Sequence, residues 1–185
     1  MTFRATKLPG VILIEPKVHG DERGFFVETY HEQRYAENGI PLRFVQDNHS
    51  RSVGPILRGL HAQRTRAQGK LVRCVEGRIF DVAVDIRRGS PTFAQWVGFE
   101  LSAANFHQLW IPPDFAHGFC VLDGGPVQVE YKCTDLYDPS DELGVAWDDP
   151  DLGVEWPIEK PLLSPKDRAL GRLADLMDRL PIFRR

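Results

Sequence analysis

Three residues on strand-like stretches are of types that move protons or hold metals: His61, His117 and Tyr131. Imidazole changes charge near neutral pH and is the commonest metal ligand, while a phenol ordinarily keeps its proton to a pH of about 10. Side chains alternate between faces along a strand, so parity tells which residues share a wall. In Leu57-Arg58-Gly59-Leu60-His61-Ala62-Gln63, His61 lies with Leu57 and Gln63. In Phe115-Ala116-His117-Gly118-Phe119, His117 shares its face with two phenylalanines, and Tyr131 shares its own with Val127, Val129 and Cys133. Two inward histidines and an inward tyrosine from three strands can line one pocket. A stable metal site needs more ligands than two histidines without a matching carboxylate. Gln63 is a poor transition-metal ligand. The expectation is a pocket with no metal.

Each candidate also has a plainer reading. A tyrosine on an apolar face can be a packed ring whose hydroxyl reaches a backbone group. His19, His31, His49 and His107 read as structural. Asp167 stands third after Ser164, where a helix-capping box alone accounts for an acid. Lys70, Arg23 and Arg58 read by default as solvated surface charges.

The elements that must position these residues read mostly at period two. In Ile79-Phe80-Asp81-Val82-Ala83-Val84-Asp85-Ile86, one face carries Phe80, Val82, Val84 and Ile86 and the other two aspartates, the pattern of a half-buried antiparallel strand. Similar runs cover 11–15, 25–30, 42–48, 57–63, 71–75, 93–101, 107–111, 115–122 and 127–134, mostly separated by Gly, Pro, Asp or Asn. About ten short strands without a repeated helical crossover predict an all-β fold, a β-sandwich or a barrel of the jelly-roll kind. A short helix is expected at 31–38. A second, at about 164–180, has an N-cap Ser164, an N1 Pro165 and apolar Leu170, Leu173, Met177 and Leu180 at helical spacing.

Composition sets the outer limits. With 185 residues, 42% hydrophobic and 26% charged, the chain suits one globular domain over 1–185. A net charge of −3 gives no global electrostatic case for nucleic acid. Cys74, Cys120 and Cys133 are odd in number and form no CxxC pair, which points away from a zinc ribbon or disulfide framework and toward a reducing compartment. Neither a signal-peptide core nor an ~18-residue apolar run is evident, so a cytoplasmic protein without a membrane span is expected.

Longer blocks carry a family likeness. They are Glu15 through Phe26, Phe44-Val45-Gln46-Asp47-Asn48-His49-Ser50, Leu57-Arg58-Gly59-Leu60-His61, Gln68 through Arg73 and Phe80 through Asp85. Ile111-Pro112, Phe115-Ala116-His117-Gly118-Phe119, Tyr131-Lys132 and Leu163-Ser164-Pro165-Lys166-Asp167 complete the set. From about Leu8 to Asp167 the chain resembles the dTDP-4-dehydrorhamnose 3,5-epimerases of dTDP-L-rhamnose synthesis. It departs at Ala62, where that family usually has an aromatic ring. Gly59–Gln63 and Pro112–His117 also resemble the two halves of the cupin signature, with Gln63 in place of a second ligand histidine.

The resemblance implies a cupin-like barrel, a homodimer and the substrate dTDP-4-dehydro-6-deoxy-D-glucose. It implies no cofactor. Both carbons to be inverted flank a ketone, so removing a proton from either gives an enolate delocalised onto the ketone oxygen. By resemblance His61 is the base, Asp167 its partner, Tyr131 the acid on the opposite face and Lys70 the cation that polarises the ketone. Arg23 and Arg58 match diphosphate ligands. Glu28, Gln46, Asp47 and Asn48 match nucleotide- and sugar-contacting positions. Tyr137 matches a ring that stacks on thymine, and His117, Glu142 and Lys166 match further binding positions. Arg58 has the opposite parity from His61: either a bulge intervenes or Arg58 is not aimed into the same pocket. The rival readings are a single-carbon epimerase, a non-catalytic sugar-nucleotide-binding cupin and a metal-dependent cupin dioxygenase.

Overall fold

A computed structural model describes residues 1–184. In chain order the elements are β1 (Thr2–Ala5), β2 (Ile12–Glu15), β3 (Val18–Asp21), β4 (Gly24–Val27), α1 (Glu32–Glu37), β5 (Gln46–Ser52), β6 (Leu57–Gln63), β7 (Lys70–Glu76) and β8 (Arg78–Asp85). Then follow β9 (Trp96–Ser102), β10 (Gln108–Ile111), β11 (Phe115–Val121), β12 (Val127–Cys133), β13 (Glu142–Gly144), α2 (Pro165–Arg168) and a 3₁₀ helix (Leu173–Arg179). The strands form a six-stranded sheet, β1-β2-β10-β7-β12-β5, and a five-stranded sheet, β13-β6-β11-β8-β9, both antiparallel. This is the all-β jelly roll expected from the sequence. β3 and β4 make a separate hairpin.

Alternation fills the space between the sheets. Val72 and Cys74 of β7, Leu109 and Ile111 of β10, and Val127 and Val129 of β12 meet Ile79 and Ala83 of β8, Val97 and Leu101 of β9, and Phe115, Phe119 and Val121 of β11. A second apolar layer covers the outer face of the smaller sheet. There Leu60, Ala62, Val82, Val84, Ile86 and Ala116 pack on Leu143, Val145, Leu152, Leu173 and Leu180. A third cluster seats Tyr35 of α1 against Ile14, Leu71 and Trp110 on the outside of the larger sheet.

Three sequence expectations are corrected. β8 is buried on both faces, because the C-terminal segments cover the Val82-Val84-Ile86 side; its other side faces the barrel and takes Asp81 and Asp85 fully inside. Asp85 is satisfied there by the Arg87 guanidinium and the hydroxyls of Ser90 and Thr92. The strand expected at 42–48 runs instead over Gln46–Ser52. One face of β5 is Gln46, Asn48, Ser50 and Ser52, a polar alternation that hydrophobic periodicity does not register. The helix expected at about 164–180 is broken after one turn. Gly171 bridges to Val145 and accepts from the Ala146 N–H, and the Leu173 N–H is taken by Asp149, so the backbone groups of 171–173 serve the neighbouring segment rather than a helix. The helix expected at 31–38 is present as α1, with the His31 ring accepting from the Arg34 N–H as N-cap.

Candidate active site

β6 decides what faces the barrel interior. Its register with β11 pairs His117 with His61 but Phe119 with Arg58, so two steps along β11 are matched by three along β6. That is a β-bulge. It switches the parity of β6 in mid-strand, turning Arg58 and His61 to the barrel side while Leu60 and Ala62 join the outer layer. Arg58 therefore enters the same pocket as His61, which simple alternation places out of its reach. Gly59 permits the bulge: its φ is +123°, and a Cβ there would lie 2.5 Å from the Gly118 Cα. Ala62 points away from the pocket.

A cavity of about 320 Å³ opens between the sheets, lined by Arg58, His61 and His117 from the smaller sheet and by Ser50, Lys70 and Tyr131 from the larger. Tyr137 and Ser164 on connecting segments, Glu142 of β13, and Lys166 and Asp167 of α2 complete its lining. His61 and Tyr131 stand on opposite walls, because β6 and β12 belong to different sheets.

Within the cavity His61 is joined to Asp167, Nε2 to Oδ1 at 2.6 Å. Ser164 Oγ donates to the other carboxylate oxygen at 2.8 Å and accepts the Asp167 N–H at 3.0 Å. Capping and partnering are thus divided within one residue, the backbone N–H serving the helix and the carboxylate serving the imidazole. Burial raises the Asp167 carboxyl pKa, but the bonds from His61 and Ser164 outweigh it and hold the group below the usual carboxylate range. An ionised carboxylate only accepts, so Nε2 of His61 carries the proton and Nδ1 is left as the basic nitrogen. Asp167→Asn is expected to lower turnover on the order of 10²-fold, less than loss of His61 itself, since the base remains but loses its orienting charge. A variant with full turnover and only a lower melting temperature would reduce Asp167 to a capping residue.

Burial shapes two further groups. Lys70, expected by default on the surface, sits in the wall with Nζ 3.5 Å from the His61 carbonyl, and desolvation lowers its pKa. Tyr131 is raised by burial above its ordinary value, so its hydroxyl stays protonated throughout the neutral range. His117 bonds Asp81, Nε2 to Oδ1 at 2.8 Å, while the second Asp81 oxygen is buried without a partner. Asp81 is a pocket-side acid that sequence reading assigned to an outer polar face; only knowing that both faces of β8 are covered reveals it.

The remaining predicted residues divide. Arg58 Nε donates to Ser52 Oγ at 3.1 Å. Tyr137 Oη donates to Glu142 at 3.1 Å, and Lys166 pairs with the same carboxylate. Gln46 and Asn48 lie just outside the cavity, bonded to one another, with Gln46 also accepting the Tyr137 N–H. Asp47 points to the other side of β5 and pairs with Lys132. Glu28 is paired with Arg34 beside α1, and Arg23 sits at the tip of the β3–β4 hairpin, bound to Asp21. Arg23, Glu28, Gln46, Asp47 and Asn48 thus lie outside the lining of this cavity in the single chain. Hairpin geometry removes the first from the barrel, and alternation turns Asp47 outward.

Comparison with known proteins gives a consistent result. A family model described as dTDP-4-dehydrorhamnose 3,5-epimerase matches residues 5–175. The chain is 55% identical over 177 residues to dTDP-4-dehydrorhamnose 3,5-epimerase of Pseudomonas aeruginosa, covering 94% of this chain and 97% of the relative. It superposes with a TM-score of 0.96 and 50% identity on a dTDP-6-deoxy-D-glucose-3,5-epimerase of Legionella pneumophila crystallised with dTDP-4-keto-L-rhamnose, covering 100% of this chain and 99% of that one. A dTDP-4-dehydrorhamnose 3-epimerase of Streptomyces niveus is 39% identical over 180 residues, 96% of this chain and 86% of the relative.

Proposed function

The chain belongs to the dTDP-4-dehydrorhamnose 3,5-epimerase family, and from that premise we propose that its cavity inverts carbons 3 and 5 of dTDP-4-dehydro-6-deoxy-D-glucose to give dTDP-4-dehydro-L-rhamnose. The observation that carries the reading is the pair of opposed walls: the His61–Asp167 dyad on one and the Tyr131 phenol on the other. His61 Nδ1 takes the proton from C3 or C5, and Asp167 stabilises the imidazolium that results. The electron pair spreads onto the ketone oxygen, where Lys70 meets the developing charge. Tyr131 returns a proton from the far side, which inverts the carbon. The neighbouring ketone is the electron sink, so the steps need neither metal nor redox cofactor.

Arg58 and Lys166 suit the anionic diphosphate at the mouth of the cavity. Tyr137, with Glu142 fixing its hydroxyl, suits the thymine ring. The decisive experiment is incubation with the substrate in D₂O and NMR of the product. Deuterium and inverted configuration at both carbons support the reading. Label and inversion at C3 alone would favour the single-carbon chemistry, a reading to which the 3-epimerase relative lends weight.

The pH profile tests Lys70. Its pKa is lowered by desolvation, so its positive charge is lost as pH rises through a value under the ordinary 10.5. The alkaline limb of kcat/KM is expected below that value. Lys70→Arg keeps the charge and should move the limb upward; an unmoved limb would assign it to another group.

We also propose a cytoplasmic homodimer. No helix among the described residues is long and apolar enough to cross a membrane. The β3–β4 hairpin exposes Phe25 at 65% and Phe26 at 71%, an apolar surface fit to be covered by a second copy. Such an exchange would also carry Arg23 and Glu28, which their own cavity does not reach, toward a partner's.

A further inference from the structure

Gln63 is nearly fully buried at the end of β6, and all of its amide's bonds go to the backbone of two connecting segments. Nε2 donates to the Arg66 carbonyl at 2.7 Å and to the Leu136 carbonyl at 3.1 Å. Oε1 accepts the Asp138 N–H at 2.6 Å. Reversing the amide would set its oxygen against two carbonyls, so the orientation is fixed by its surroundings. The two latter bonds fall on the residues immediately before and after Tyr137. The Tyr137 N–H itself is held by Gln46 Oε1 at 2.9 Å.

This grip matters because the Tyr137 ring has little else to hold it. The residue is 48% exposed, stands at the rim of the cavity, and its hydroxyl bonds Glu142. An aromatic ring offered to solvent has many orientations to lose on meeting a flat ligand. Fixing the backbone on both sides removes much of that loss before binding. The same amide ties segment 64–66 to segment 135–138, and Asp141 strengthens the junction by accepting the Thr65 and Arg66 N–H groups.

We propose that Gln63 is a positioning residue for the nucleotide end of the substrate, acting through the backbone on either side of Tyr137. The inference rests on the reading that Tyr137 meets the nucleobase. Gln63 bonds neither His61 nor Asp167, so its effect falls on ground-state binding.

The test uses the full chain, with thymidine diphosphate and inorganic pyrophosphate as calorimetric probes. Gln63→Leu removes all three bonds at similar volume. It is expected to raise the Kd of thymidine diphosphate and the KM of the sugar nucleotide together by roughly 10- to 100-fold. Pyrophosphate affinity and kcat should stay within about threefold. In a Tyr137→Ala background the same substitution should produce little further loss, because its effect runs through that ring.

A lowered kcat with unchanged KM would overturn the proposal and make Gln63 a support for the strand that carries the base. Equal weakening of pyrophosphate, or no change in either constant, would overturn it too. Should Gln63→Leu fold poorly, Gln63→Glu carries the test with the same criteria, since it keeps the acceptor for Asp138 and loses both donors. If neither variant folds, Gln63 serves the barrel and the proposal fails. Tyr137→Ala alone leaving thymidine diphosphate affinity intact would instead remove the nucleobase reading on which the proposal rests.

Discussion

His61→Ala is expected to abolish incorporation of solvent deuterium at both C3 and C5, with turnover reduced by at least roughly the 10²–10⁴-fold associated with a positioned general base. The reason is that one ring serves both carbons. Its Nε2 is committed to Asp167, so Nδ1 is the nitrogen with a free lone pair. The other imidazole in the cavity is His117, its direct cross-strand partner in the register of β6 and β11. His117 is bonded to Asp81 in a similar way, but its side chain is 8% exposed against 28% for His61. Of the two, His61 is the one a sugar ring can approach. Exchange persisting near the parent rate in His61→Ala would hand the base's role to His117, and His61→Ala/His117→Ala would then be the silent protein.

Tyr131→Phe is expected to split exchange from inversion. Val127 and Val129 fix the inward face of β12, and the Tyr131 ring packs against the same cluster, so the Phe ring should keep its place with a stability change under about 1.5 kcal/mol. What disappears is the hydroxyl, which burial keeps protonated through neutral pH. His61 on the opposite wall can still remove a proton, trade it with solvent and return it to the face it came from. Deuterium should therefore enter the substrate with configuration retained, while net inversion falls by roughly 10²–10⁴-fold. NMR of the recovered sugar nucleotide reads both at once. Undiminished inversion would mean that water or another group supplies the far-side proton. Loss of exchange as well, in a folded variant, would make Tyr131 a residue that holds the sugar rather than one that protonates it.

Strand parity alone places His61, His117 and Tyr131 on the barrel interior, and all three line the cavity. It worked because β11 and β12 keep a regular alternation with apolar neighbours on the pocket side. The same rule failed wherever a third layer or a bulge intervened. β8 shows the first failure: with both faces covered, the more apolar face was not the inner one, and Asp81 went unnoticed. β6 shows the second: alternation alone sets Arg58 apart from His61, and of the two alternatives left open by the sequence the bulge is the one present. Periodicity could not have found Asp167 or Lys70, one on a single helical turn and the other at the first position of a strand. They came from resemblance to a family. The C-terminal helix departs for a related reason: its apolar residues stand at helical spacing, but hydrogen bonds to 145–149 claim the backbone between them.

The bond between His61 and Asp167 also has a meaning in time. It spans 106 positions of the chain, among the longest reaches in the cavity. A ribosome delivers residues in order, and segments can pack as they emerge. The strands that carry His61, Lys70, His117 and Tyr131 are all made before α2. During synthesis, then, the pocket can acquire its walls while its imidazole still lacks the carboxylate that sets its tautomer. Proton abstraction reaches its full rate only when Ser164 and Asp167 have been added and have docked, so the nascent chain passes through a stage that has its walls and its base but not the charge that orients that base.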